Sequence, residues 1–272
     1  MFETWAVMAG LPLRALVTTR AGGTSRGRYA SLNLGGHVGD DPLAVLSNRR
    51  LLASALGLGW DRLVMADQLH GVGATWVDDA EGGRGALSCA DTVTTTDILL
   101  TRTPGLALTM LVADCAPIVL YAPDIGAIAV IHAGWRGTVA GAARVAVEAL
   151  AAAGGDPADM RAGIGPCIGA DQFEVGSDVA LAAGDYFGAS VADVLEPVGT
   201  HRWRFDLAGA NSITLVESGL RQGNIEAMVA TTGPATPFFS HRAEGPCGRF
   251  ALVAILERGG PQKVPPVPGA AV

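Results

Sequence analysis

The chain of 272 residues is long enough to bury a substantial core, and 49% hydrophobic against 17% charged residues excludes global disorder. A formal net charge of −7 argues against broad binding to nucleic acid or to an anionic membrane. The first residues carry Glu3 and no basic segment ahead of their apolar side chains, so no signal peptide is read there; no apolar run is long enough to span a bilayer, and a cytoplasmic protein is expected.

Residues 13–20 read as a strand that runs into a Gly-rich loop beginning at Arg20. Asp41 as cap, Pro42 in the first turn, apolar residues through Leu56 and Gly57 as stop predict a helix. Short β-like runs follow at 63–65, 74–77 and 97–100. Two β-rich apolar runs, 106–112 and 127–131, read as buried strands. Residues 138–153 are rich in Ala, Val and Leu at helical spacing and stop at Gly154-Gly155. A strand at 160–164, a helix at 171–183, a helix from Asp206 through Leu220, and strands at 225–230 and 249–256 complete the pattern. Helices set between groups of strands indicate α+β rather than a regular βαβ alternation. The chain has no internal repeat or clear linker, so residues 1–258 are expected to form a single domain and the Pro/Gly-rich tail 259–272 to be disordered.

Four cysteines (Cys89, Cys115, Cys167, Cys247) with no C-x-x-C pair do not form a disulfide framework. Lys263 is the only lysine, which excludes a P-loop lysine and disfavours a Schiff base. Cys115 and His132 follow the two apolar runs, so two strand ends can bring a thiol and an imidazole to one sheet edge. His70, in Asp67-Gln68-Leu69-His70-Gly71, completes a Cys/His/His set that suits zinc with one open, catalytic position. The spacing matches no zinc finger, and three readings of Cys115 stay open: an inert buried thiol, a metal ligand, or a nucleophile with His132 as base.

His132 to Thr138, HAGWRGT, reads as a strand end, a turn and a helix start whose amides and Arg136 attract an anion; a capped helix with a surface arginine is the plainer reading. Arg20, Gly22 and Gly23 offer a second cradle of the same kind, or an ordinary polar loop. The glycines of 163–169 have the wrong spacing for a dinucleotide loop, and no deaminase H-x-E triplet occurs.

Seven short motifs then stand in one order: R-x-G-G-x-S (Arg20 to Ser25), S-L-N-L (Ser31 to Leu34), Q-x-H-G (Gln68 to Gly71), A-D-C-x-P (Ala113 to Pro117), H-A-G-W-R-G-T (His132 to Thr138), G-P-x-I-G (Gly165 to Gly169) and S-x-R with G-R (Ser240, Arg242, Gly248, Arg249). In these the chain resembles the YfiH-like family. That family is also called the laccase-domain or multicopper polyphenol oxidase family, and its bacterial members are described as purine nucleoside phosphorylases or peptidoglycan editing factors.

The resemblance implies a single-domain four-layer α/β/β/α sandwich. It implies zinc on His70, Cys115 and His132, which are also the catalytic residues, and a substrate and phosphate site from Arg20, Gly22, Gly23, Ser31, Asn33 and Arg136. The implied reaction is phosphorolysis of adenosine, inosine, guanosine or methylthioadenosine, with adenosine deamination as a further activity, by a monomer or weak homodimer acting on small molecules alone. Two departures, Thr231-Thr232 for a Cys-Thr pair and Ser240-His241-Arg242-Ala243 for S-Y-R-R, bear on nucleoside preference. Copper-dependent polyphenol oxidation, for which five histidines are too few to build a multinuclear cluster, is one rival. A cysteine hydrolase and an amidase editing UDP-linked muropeptide precursors are the others.

Overall fold

The apolar runs become strands buried on both faces, and the alternation of side chains along each strand divides them between separate cores. In the computed structural model, which describes residues 2–233 and 235–257, two large sheets lie face to face. The first has the order Phe2–Glu3, Leu13–Thr18, Phe250–Leu256, Ala107–Val112, Leu63–Met65, antiparallel except for its last pair. The second has the order Ile225–Ala227, Arg161–Ile164, Ala116–Ala122, Ala127–Ala133, Ile98–Thr101, Ala74–Trp76, parallel only at its two outer pairs.

Between the sheets, Leu108, Met110 and Val112 meet Val119, Tyr121, Ile128 and Val130. The opposite face of the first sheet, with Ala107, Leu111 and Val253, packs under the helix Pro42–Ala55 through Leu52 and Ala53. The outer face of the second sheet, with Ile118, Leu120, Ala129 and Ile131, packs under the helices Ala142–Ala152 and Leu207–Glu217. The result is the α/β/β/α sandwich implied by the resemblance. Alanines at 127, 129, 133, 142, 143 and 146 on the facing surfaces let helix and sheet approach closely. Asp41 and Asp206 cap their helices as predicted, accepting from Leu43 N and Gly209 N.

Four sequence expectations are revised. The helix predicted over 138–153 is two helices, Trp135–Val139 and Ala142–Ala152, parted where Gly141 takes φ +83°. The helix predicted over 171–183 begins at Ser177, because Glu174–Val175 is instead a short strand against Arg202–Phe205. Residues 228–230, predicted to extend a strand, lie beyond its end at Ala227. The central strand Ala116–Ala122 is hidden in the sequence by its proline. Pro117 is tolerated there because it stands past the last pair with the neighbouring strand, Ile118 opposite Ile164, and its carbonyl accepts from Gly165 N. The tail expected to be disordered lies outside the described residues. No helix among the described residues is long and apolar enough to cross a membrane.

Twice the chain crosses from the first sheet to the second at the same end of the sandwich. One crossing runs from Leu63–Met65 to Ala74–Trp76 and carries His70; the other runs from Ala107–Val112 to Ala116–Ala122 and carries Cys115. His132 stands on the adjoining strand Ala127–Ala133, opposite Pro117.

Candidate metal centre

The 113–115 crossing is built around Asp114. Its backbone takes φ +85°, in the left-handed region where a non-glycine residue is strained and needs support. The support is a fan of donors: Thr232 Oγ1 at 2.6 Å, Ser240 Oγ at 2.7 Å and Arg242 N at 2.7 Å all donate to its carboxylate. Ile168 N donates to its carbonyl. Turned in this way, the chain presents the half-buried Cys115 toward the two histidines.

Asp97 builds the other side. Ile98 pairs with Ile131 in the antiparallel ladder, so the preceding Asp97 falls beside His132. The buried carboxylate bonds His132 Nδ1 at 2.8 Å through Oδ1, which also accepts from His70 N at 3.0 Å. Its Oδ2 accepts from Gly71 N at 2.7 Å and Leu69 N at 3.2 Å. His70, at φ +62°, is thereby held over His132, with ring centroids 4.6 Å apart and nearly perpendicular.

The donor atoms of His70, Cys115 and His132 all lie within 4.8 Å of one another. Gly134 completes the cradle. A Cβ there would stand 2.9 Å from both Cys115 Sγ and His70 Cδ2, so any side chain would displace the donors. A soft thiolate with two imidazoles suits zinc or copper, and with Nδ1 of His132 bonded to Asp97 its Nε2 is the nitrogen left for a metal. The three donors and the space Gly134 leaves fit a metal ion.

Charge in the cluster favours ligation. Burial pushes the Cys115 thiol up, but the charge and hydrogen bond of His132, reinforced by His70, outweigh it and hold the thiol at about 6. Burial pushes His132 down, while Cys115 and Asp97 pull it up to about 9. Burial likewise raises Asp97, and the hydrogen bonds from His132 and the Gly71 amide bring it below the ordinary carboxylate range. Without a metal, these opposed shifts favour a thiolate beside an imidazolium near neutral pH. By contrast, burial pushes Cys167 up to about 12 and leaves it an inert core thiol.

The cluster opens into a cavity of about 590 Å³. Four arginines (Arg49, Arg136, Arg242, Arg249) line it against two carboxylates, Asp67 and Asp114, so the cavity favours an anion. Arg49 is buried, with its fork donating to the carbonyls of Leu34 and Gly85. Arg242 donates to the carbonyls of Gln172 and Glu174, and Arg249 to those of Cys247 and Gly248. Arg136 is exposed and stacks on Trp135 at 4.3 Å.

The sequence-proposed anion residues separate. Arg136 lines the cavity; Arg20, Gly22, Gly23, Ser31 and Asn33 do not. Arg20 forms a two-pronged pair with Glu244, at 2.9 and 3.0 Å, and lies over Phe239. Gly23 N donates to Ser31 Oγ, and a Cβ on Gly23 would collide with the Ser31 carbonyl at 2.2 Å. Gly22, at φ +95°, is exposed. Asn33 Oδ1 accepts from Arg249 N at 2.8 Å, so this loop supports one cavity arginine from behind. Sequence reasoning misses Asp97 and Gly134. The available signal is an aspartate opening an apolar strand, the mirror of a histidine closing one, but only register joins the two.

The family model described as "Multi-copper polyphenol oxidoreductase laccase" matches residues 14–257. A "Purine nucleoside phosphorylase" of Deinococcus radiodurans is 37% identical over 246 residues, covering 89% of this chain and 89% of that one. An "Adenosine deaminase RL5" of an unknown prokaryotic organism is 36% identical, covering 86% and 89%. The crystal structure of the Bacillus licheniformis hypothetical protein YfiH superposes with TM-score 0.88 at 33% identity, covering 90% and 93%.

Proposed function

Because the chain belongs to the multi-copper polyphenol oxidoreductase laccase family, we propose that it is a zinc-dependent purine nucleoside phosphorylase that also deaminates adenosine. The observation that carries the reading is a thiolate flanked by two imidazoles at the floor of an arginine-lined cavity. Relatives named for phosphorolysis and for deamination support an enzyme of this kind.

His70, Cys115 and His132 hold the metal, and residues 1–258 form the catalytic domain. Bound zinc supplies a Lewis acid with an open position. Arg136, with the cavity edges of Arg242 and Arg249, holds phosphate and offsets its charge as its oxygen attacks the ribose anomeric carbon. The bond from that carbon to the purine nitrogen breaks, and the base leaves with a proton. In deamination, water adds at purine C6 and ammonia departs. Arg20, Gly22, Gly23, Ser31 and Asn33 act indirectly, by fixing the segments that carry Arg242 and Arg249.

Purified protein given adenosine and phosphate should release adenine and ribose 1-phosphate, and without phosphate inosine and ammonia. Absence of both product pairs from zinc-loaded protein sinks the proposal. Parallel incubation with UDP-linked muropeptide precursors tests the editing amidase.

One observation favours a second reading. Cys115, His132 and Asp97 stand in the order nucleophile, base, orienter, which also serves a metal-free cysteine hydrolase. Metal content separates the two: one zinc per chain supports the first, while labelling of Cys115 by substrate with no metal supports the second. One copper per chain would instead support polyphenol oxidation.

A further inference from the structure

Resting on the metal reading above, we infer that Asp97 is a positioning residue that sets two of the three ligands at once, the ring of His132 and the backbone of His70. Each of its oxygens accepts two donors. Oδ1 takes His132 Nδ1 and His70 N; Oδ2 takes the amides of Gly71 and Leu69. The carboxylate therefore fixes the His132 tautomer, with the proton on Nδ1 and Nε2 bare, and clamps the three-residue segment that carries His70 in its left-handed backbone conformation. An ordinary buried stitch needs neither feature, since one oxygen on the loop would satisfy it.

The same geometry makes asparagine an informative substitute. In D97N the side-chain amide would have one oxygen where Asp97 has two. With that oxygen toward His132 and His70 N, the NH₂ faces the amides of Leu69 and Gly71, donor against donor. Turned over, the NH₂ donates to His132 Nδ1 and drives the ring proton onto Nε2, the nitrogen the metal needs. Either orientation spoils one ligand.

The test is Zn(II) affinity, by competition with a chromophoric chelator, for the parent chain, D97N, H70A and the double variant. D97N should bind Zn(II) about 10–100-fold more weakly than the parent, the range typical of outer-shell partners. In the H70A background D97N should cost less, because its action through residues 69–71 has been removed. Co(II) bound to D97N should keep its thiolate charge-transfer band, showing Cys115 still attached. A parent chain that takes up no zinc defeats the metal reading and this inference with it. A parent that binds while D97N binds equally well defeats the inference alone. An equal loss in both backgrounds defeats the two-ligand role. Should D97N not fold, ¹⁵N-histidine spectra of the zinc-loaded parent decide the matter: His132 must show a protonated Nδ1 and a bare Nε2, and the reverse overturns the inference.

Discussion

Two glycine-bearing turns, residues 20–25 and 132–138, look alike in sequence: each joins an arginine to glycines after a strand. In the fold they meet different partners. Around Arg20 the guanidinium, the Gly23 amide and the Ser31 hydroxyl are engaged internally, with Glu244, the Ala30 carbonyl and one another, which fits the supporting role proposed for this turn. Around His132 a Cβ is missing where the cluster needs room, and Arg136 faces the cavity. A glycine-rich turn thus reports close approach, and its partners decide whether what approaches is the protein or a ligand.

The largest effect that can break this contrast is at the cluster. C115A should lose stoichiometric zinc by metal analysis and lower turnover beyond the roughly 10–100-fold expected for a supporting residue. Retention of either zinc or turnover would move the chemistry elsewhere. G134A should lose zinc too, since its Cβ would contact both Cys115 Sγ and His70.

A pH experiment probes the same cluster without metal. Alkylation of Cys115 by iodoacetamide should rise with pH through a midpoint near 6, because His132 holds the thiol low, and be flat above it. H132N should move that midpoint toward the ordinary thiol value of about 8.5. A midpoint unchanged in H132N would remove the thiolate–imidazolium pair.

The two arginines give the next comparison. R136A should lower kcat/KM for phosphorolysis about 10–100-fold, the worth of one or two charge-assisted hydrogen bonds, and leave deamination largely intact. R20A is the smallest effect. Its pair with Glu244 is part-exposed, so chemical denaturation should register a loss of about 1 kcal/mol or less, with KM for phosphate nearly unchanged. If R20A raised that KM as much as R136A, the division between scaffold and site would fail.

Much of this is legible in the sequence because it is local. Apolar, β-rich strings announce buried strands, Asp41-Pro42 announces a helix start, and the motifs hold all three cluster residues. What is not legible depends on register and tertiary support. Nothing near Asp97 in sequence says that Ile98 pairs with Ile131. Nothing near Asp114 says that Thr232, Ser240 and Arg242 will hold its left-handed backbone. Pro117 disguises a central strand, because its position past the ladder's end is a property of its neighbour. Of the Thr231-Thr232 pair, Thr232, the threonine kept from the Cys-Thr pattern, gains a physical meaning only in the fold: it is one of the hydroxyls that stabilise the Cys115 turn.

The two sheet crossings have a mechanical consequence. His70 and Cys115 lie 45 positions apart on separate crossings, and His132 belongs to the second sheet's own ladder. An ion taken by these three is therefore a clasp that ties both crossings to one sheet at the open end of the sandwich. It acts as a reversible cross-link. At a free metal concentration a hundred times the dissociation constant, such a clasp adds about 2.7 kcal/mol to the folded state. Chelation would then loosen the sandwich at that end as well as empty the site.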